Sequence, residues 1–208
     1  MLLTTEVMKY DKEYFFIRKG SDNERLPSLS PSENIEDGRY RYQRQLPGSP
    51  PLIFSNGWRD ENLAEGIKDE TADILFDGSD FMVRGKIWEQ LIAFQIPNLS
   101  VHPAVYIDDR DVWHGDYWYL TFTDRLDCWD RLTSTYDPKP IELGGEKSYS
   151  MKSYSLDDKV LNTIPLKDRL LFKMGSTSDE MIVCHISLCG KFRGGGKSGA
   201  VLQAITDW

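Results

Sequence analysis

Apolar positions along this chain gather into short bursts between polar, glycine-rich and proline-rich stretches, and one stretch carries a clear helical period. Within residues 6–19, the cluster Tyr14-Phe15-Phe16-Ile17 predicts a strand. Residues 21–44 are rich in Ser, Pro, Asp and Glu with little periodicity, which predicts loop or irregular structure. Leu46-Pro47-Gly48-Ser49-Pro50-Pro51 is a strong breaker, and Leu52-Ile53-Phe54 then predicts a short strand ending at Asn56-Gly57. The first 60 residues are expected to lie as a sheet-edge layer on the rest, not as a separate unit.

The helical period begins after Gly78. Ser79 has the side chain of an N-cap, whose hydroxyl accepts from an unpaired first-turn amide, and Asp80 adds negative charge where a helix dipole favours it. Val83, Ile87 and Leu91 recur at i, i+4, i+8, while Trp88 and Ile92 widen the apolar stripe and place Trp88 in the core. Ile96-Pro97-Asn98 stops the pattern, because a proline disfavours helical geometry in the residue before it. The expectation is one principal amphipathic helix over about residues 79–94.

Strand signals dominate the remainder: residues 101–107, then the aromatic and β-branched 117–123, then 147–154. Residues 170–174 and 181–184 flank the turn-rich Gly175-Ser176-Thr177-Ser178-Asp179 as a hairpin would. A short helix over 187–192 and a closing strand over 201–205 complete the reading. Strands outnumber helices and do not alternate with them, so the fold class is α+β: a mostly antiparallel sheet with the 79–94 helix packed on it. No internal repeat is visible. Residues 1–208 are expected to form one domain, with 1–50 as a less regular N-terminal layer.

Composition narrows the function. The chain has 208 residues, 40% hydrophobic and 12% aromatic, enough to bury a core. The formal charge is −8 with a pI near 5.0, which argues against general nucleic-acid binding and against docking on anionic lipid. It suits a basic protein partner. The charge is uneven: residues 1–60 are neutral, 61–140 carry −9, and 141–208 carry +1. The negative middle is either a solvated face or a patch that meets something positive. The N-terminus has no basic n-region followed by a long apolar run, and no stretch approaches the ~20 apolar residues of a membrane span, so a cytoplasmic protein is expected. Three cysteines, Cys128, Cys184 and Cys189, then read as reduced thiols.

Chemistry-bearing motifs are few. Gly194-Gly195-Gly196-Lys197-Ser198 invites a phosphate-loop reading, but Lys191 falls where the first glycine belongs and only ten residues follow Ser198. The reading favoured is a glycine loop before the last strand. His102, His114, His185 and the three cysteines show no metal-ligand spacing, so no metal and no cofactor are expected. The densest polar cluster is Asp108, Asp109, Asp111, His114 and Asp116 around Trp113, between two predicted strands. It admits three readings: a carboxylate site for acid–base work or a hard metal, a solvated hairpin loop, or a recognition loop anchored by Trp113 and His114. Asp124, Asp127 and Asp130 form a second acidic turn around Trp129. There is no GxSxG elbow.

Residues 73–106 contain Ser79, Asp80, Phe81, Met82 and Val83, then Trp88. Residues 116–136 contain a strand running into Leu126-Asp127-Cys128-Trp129-Asp130. In order and spacing these resemble a bacterial family of polymorphic-toxin immunity proteins, the family numbered eleven, first catalogued as a domain of unknown function. A looser match covers 170–174, 181–184 and the end at Trp208, so the resemblance spans roughly residues 50–208, and the first 50 match less clearly. It implies a non-enzymatic protein that binds and neutralises a cognate toxin encoded beside it. Such toxins are secreted effectors, delivered by contact-dependent systems such as type VI secretion, and many are nucleases. The resemblance carries over no catalytic residue and makes Ser79, Asp80 and Trp88 structural. A nuclease presents a positive surface to phosphate, and a negative inhibitor can be steered to that surface. A metal-dependent enzyme using residues 108–116 and a non-toxin adaptor are the alternatives, and self-association is compatible with either.

Overall fold

A computed structural model describes residues 9–20, 25–32, 35, 38–143, 145–193 and 198–208. In chain order the elements are β1 (Tyr14–Lys19), β2 (Leu29–Pro31), β3 (Leu52–Asn56), α1 (Arg59–Glu65), β4 (Ile74–Asp77), β5 (Asp80–Arg84), α2 (Gly85–Leu91), β6 (Leu99–Ile107) and β7 (Trp113–Phe122). There follow β8 (Thr135–Tyr136), β9 (Ile141–Leu143), β10 (Glu146–Ser148), β11 (Met151–Ser153), α3 (Asp158–Asn162), β12 (Leu171–Lys173), β13 (Ile182–His185), α4 (Ile186–Phe192) and β14 (Ala200–Ala204). The fold is α+β, as the pattern predicts. The glycine tract at 194–196 and Lys197 lie outside the described residues, as does the start of the chain.

Two sheets organise the molecule. One has the order β2-β3-β6-β7-β5-β4, the other β12-β13-β1-β14. All pairings within them are antiparallel except β3 with β6. Strand alternation divides the apolar residues among three cores. Ile74, Phe76, Phe81, Val83, Leu120 and Phe122 of the larger sheet face Ile17, Leu171, Ile182 and Cys184 of the smaller one, with α2 and α4 supplying Ile87, Leu91, Leu188 and Phe192. On its other face the larger sheet buries Leu29, Phe54, Met82, Tyr106, Tyr117 and Tyr119, where its edge strands β2 and β4 curl towards each other through a Ser28–Phe76 bridge and Leu26 and Tyr40 complete the core. The smaller sheet buries Phe16, Phe172 and Val183 against Trp129, Leu156 and Leu161. The first 60 residues are not only an edge layer: β1 lies between β13 and β14, and β3 lies between β2 and β6.

The principal helix differs from the 79–94 expectation. Asp80–Arg84 is a strand paired with β4 and β7, and α2 begins only at Gly85. Ser79 is therefore a turn residue between β4 and β5, not an N-cap, and Gly78 beside it has φ +65°. A strand buried on both faces reads as an unbroken apolar run, which a helical template matches as well. Val83, Ile87 and Leu91 do share one core, although the first belongs to the strand and the others to the helix. The 147–154 strand is likewise broken, into β10 and β11, which pair with β9 and β8. Residues 101–107, 117–123, 187–192 and 201–205 fall on β6, β7, α4 and β14, with ends shifted by a few residues.

A repeat absent from the sequence reading is present in the backbone. β4-β5-α2 and β12-β13-α4 are both a hairpin followed directly by a helix. Their registers correspond, with Ile74↔Val83 and Phe76↔Phe81 in one and Leu171↔Cys184 and Lys173↔Ile182 in the other. Lys173 thus stands where Phe76 stands in its counterpart. It is 1% exposed and its Nζ lies 2.8 Å and 2.9 Å from the two oxygens of buried Asp80 and 3.0 Å from Glu180.

Candidate functional site

The larger sheet ends where β3 and β6 finish, and there the loop 108–112 and α1 are fastened together. Asp108 is fully buried. Its Oδ1 accepts the amides of Arg110 and Val112, both at 2.9 Å, and its Oδ2 meets Arg110 and His114, both at 3.1 Å. Burial alone would raise its pKa, but those amides and side chains outweigh it and hold the carboxyl at about 2. Asp109 is also buried and accepts from the side-chain amides of Asn56, at 3.1 Å, and Asn62 of α1, at 3.2 Å. His114 stacks on Tyr106, ring centroids 6.0 Å apart. Asp111 has φ +62°, which turns the loop, and its exposed carboxylate meets Arg59 of α1 at 2.9 Å.

These contacts correct the reading of residues 108–116 as a solvated acidic loop. Asp108 and Asp109 are internal fasteners and His114 is half-buried. What the loop presents is Val112 and Trp113, the latter 63% exposed, with Asp111 and Asp116 beside them. A register shift on β7 aims this end of the strand. Gly115 and Asp116 together oppose Val105, so His114 and Tyr117, three residues apart, both face Tyr106 and its core.

Sequence reasoning passed over α1. It sets Trp58, 58% exposed, and Leu63, 54% exposed, at the same end of the sheet, with Asp60, Glu61 and Glu65 also exposed. The signal was legible: Asp60 and Glu61 in a first helical turn, and Gly66 in the left-handed C-terminal position with φ +67°. The surface thus has four large apolar side chains, Trp58, Leu63, Val112 and Trp113, rimmed by five exposed carboxylates. Across residues 58–65 and 108–116, seven carboxylates stand against two arginines.

The second acidic turn does not join this surface. Residues 108–112 precede β7 and Asp124, Asp127 and Asp130 follow it, so the two turns lie at opposite ends of a ten-residue strand. Asp124 is exposed and accepts from the amide of Arg125 at 2.8 Å. Asp127 is engaged by Arg131 and, at 2.9 Å, by Ser176. Asp130 accepts the amide of Leu132 at 2.7 Å. Trp129 between them is fully buried, stacked edge-on against Tyr136 and Tyr149. Trp88, expected in the core, is half-buried against Trp118 at 6.1 Å.

Among the described residues no three His, Cys, Asp or Glu side chains converge as a metal-ligand set. Cys128, Cys184 and Cys189 are buried free thiols. No helix among the described residues is long and apolar enough to cross a membrane. In comparisons with known proteins, no family model matches this chain, and no curated protein matches it.

Proposed function

We propose that this protein is an immunity protein: it binds a basic protein toxin and neutralises it by occlusion, with no chemistry of its own. One observation carries the reading. Trp58, Leu63, Val112 and Trp113 are exposed together at one end of the sheet, rimmed by Asp60, Glu61, Glu65, Asp111 and Asp116. Exposed tryptophans in an acidic rim are what a partner's pockets and cations engage. Because the loop and α1 are fastened by buried Asp108 and Asp109, binding would cost little ordering entropy. The resemblance of residues 73–136 to toxin-immunity proteins points the same way.

A secreted nuclease suits the role, because its phosphate-binding surface is positive and a negative inhibitor both finds and covers it. The action would take place in the cytoplasm of a cell that the toxin has entered. In the test, cells expressing the product of the adjacent gene are given this protein on a second plasmid. Growth is expected to recover and the two proteins to co-purify. If cells still die and nothing co-purifies, the reading is wrong. A divalent-metal enzyme is the competing reading, and saturable Mg²⁺ or Mn²⁺ binding abolished by Asp111→Asn would favour it.

A further inference from the structure

The larger sheet is covered unevenly. Its face toward Phe54, Tyr106 and Tyr119 is closed in by the approach of β2 to β4, with Leu26 and Tyr40 filling the gap. On the opposite face, α2 packs over β5 and β7 and against α4. Beyond α2, over β3 and β6, that same face carries Ile53, Val101, Val105 and Ile107, all half-exposed, and runs into Trp113 beside Ile107. At one end of this stripe is an open groove of about 810 Å³, floored by Val101 and Pro103, between Trp88 of α2 and the segment holding Leu46 and Pro47.

A sheet face of this composition is ordinarily roofed by helices, and among the described residues α2 occupies one helix position and no helix occupies the next. β6 has nine residues and so runs about 30 Å, the length of a helix of roughly 18–20 residues. The polar surroundings bear on the charge that a helix there would carry. Glu89 beside Trp88 and Asp116 are exposed carboxylates at the margins, while Asp111 is paired with Arg59 at 2.9 Å and the one lysine on α2, Lys86, is engaged by Asp73 at 2.7 Å. Arg44 is the single arginine or lysine among the groove's lining residues, which also include His102.

We infer that the stripe over β3 and β6 receives an amphipathic, basic helix of the toxin, laid beside α2 with its apolar face on Val101, Val105, Ile107 and Trp113. This rests on the immunity reading and adds the secondary structure, charge and location of what is bound. Trp113 joins the two surfaces, so the helix would approach along the stripe and the remainder of the toxin would meet α1.

The test uses a fluorescent 18-residue helical peptide of leucine and lysine, and its counterpart with glutamate for lysine, titrated against the full chain by anisotropy. The lysine peptide is expected to bind saturably and the glutamate peptide at least tenfold more weakly. Val105→Lys and Trp113→Lys are each expected to weaken the lysine peptide at least tenfold, while Leu132→Lys, at a 92% exposed position elsewhere, leaves it unchanged. If Val105→Lys lowers the melting temperature, Pro103→Lys, at an exposed position of the same strand, replaces it. Equal binding of both peptides, or binding indifferent to the stripe substitutions, overturns the inference. Rescue of toxin-expressing cells separates the two claims. Full rescue by a well-folded Val105→Lys places docking elsewhere and leaves immunity standing, whereas no rescue by the wild type overturns immunity itself.

Discussion

Lys173 is the residue whose environment is hardest to reconcile with an ordinary core position. Its amine is buried between Asp80, 93 residues away in sequence, and Glu180. Burial raises the pKa of Asp80 and the lysine pulls it back. Removing one partner of such a pair strands a charge, whereas replacing both with apolar groups does not. Lys173→Met is therefore expected to cost roughly 3–5 kcal/mol in urea unfolding. Asp80→Leu with Lys173→Met should recover most of that, since Glu180 keeps Arg125 at 2.9 Å. Additive losses would show that the pair does not act as a unit. Asp108 makes a second prediction. Its folded pKa of about 2 lies below the ordinary aspartate value of ~3.9. Its stabilisation is thus present above about pH 4 and lost as pH falls towards 2. Asp108→Asn should lower stability at neutral pH and flatten the curve between pH ~4 and ~2. Parallel curves for wild type and variant would remove the assignment. Neither role was legible in sequence: Asp80 looks like a helix-start acid, and Asp108 and Asp109 look like surface charges, because their partners come from elsewhere in the chain or from backbone amides.

At the scale of elements, period and breakers located most strands and missed how β5 becomes α2. A buried strand followed at once by a helix, both feeding one core, imitates a longer helix. The repeated hairpin–helix unit was invisible because its two copies share register and burial, while Phe76 in one is Lys173 in the other. Trp88 illustrates the cost of the misplaced helix start. Only half-buried, it should lose less on truncation than a core tryptophan, so Trp88→Ala is expected to cost about 1–3 kcal/mol against the ~3–5 of a fully buried one. A larger loss in thermal unfolding would put it in the core after all. The junction of the two sheets is a sharper case. The amide of Ile74 in β4 donates to Ser198 at 2.9 Å, and that of Gly20 donates to Gly199 at 3.0 Å. Gly199 has φ +79°, and an added Cβ would strike the Ile74 carbonyl oxygen. Gly199→Ala is expected to destabilise by roughly 1–3 kcal/mol, measured calorimetrically. A neutral substitution would mean that the junction yields readily.

For the whole molecule, the −9 carried by residues 61–140 proves to be three populations. Asp69, Asp77, Asp80, Asp108 and Asp109 are buried and structural, and Asp124, Asp127 and Asp130 sit at the far end of β7. The remainder, with Asp60, includes the rim around Trp58 and Trp113. The exposed surface was thus partly legible, through Trp113, Asp111 and Asp116, and its other half on α1 was not, because nothing in sequence brings residues 58–65 beside residue 111. Exposed charges contribute little to stability, so reversing them should leave folding intact while changing association. The most direct measurement is calorimetric titration of the purified protein with the product of the adjacent gene, at low and physiological salt. The account predicts tight binding that weakens with salt. It predicts a loss of roughly 2 kcal/mol for each of Trp58→Ala and Trp113→Ala, and a weaker, less salt-sensitive complex for Asp111→Lys with Asp116→Lys. An absence of binding by the wild-type protein, or binding that none of these substitutions alters, would contradict it.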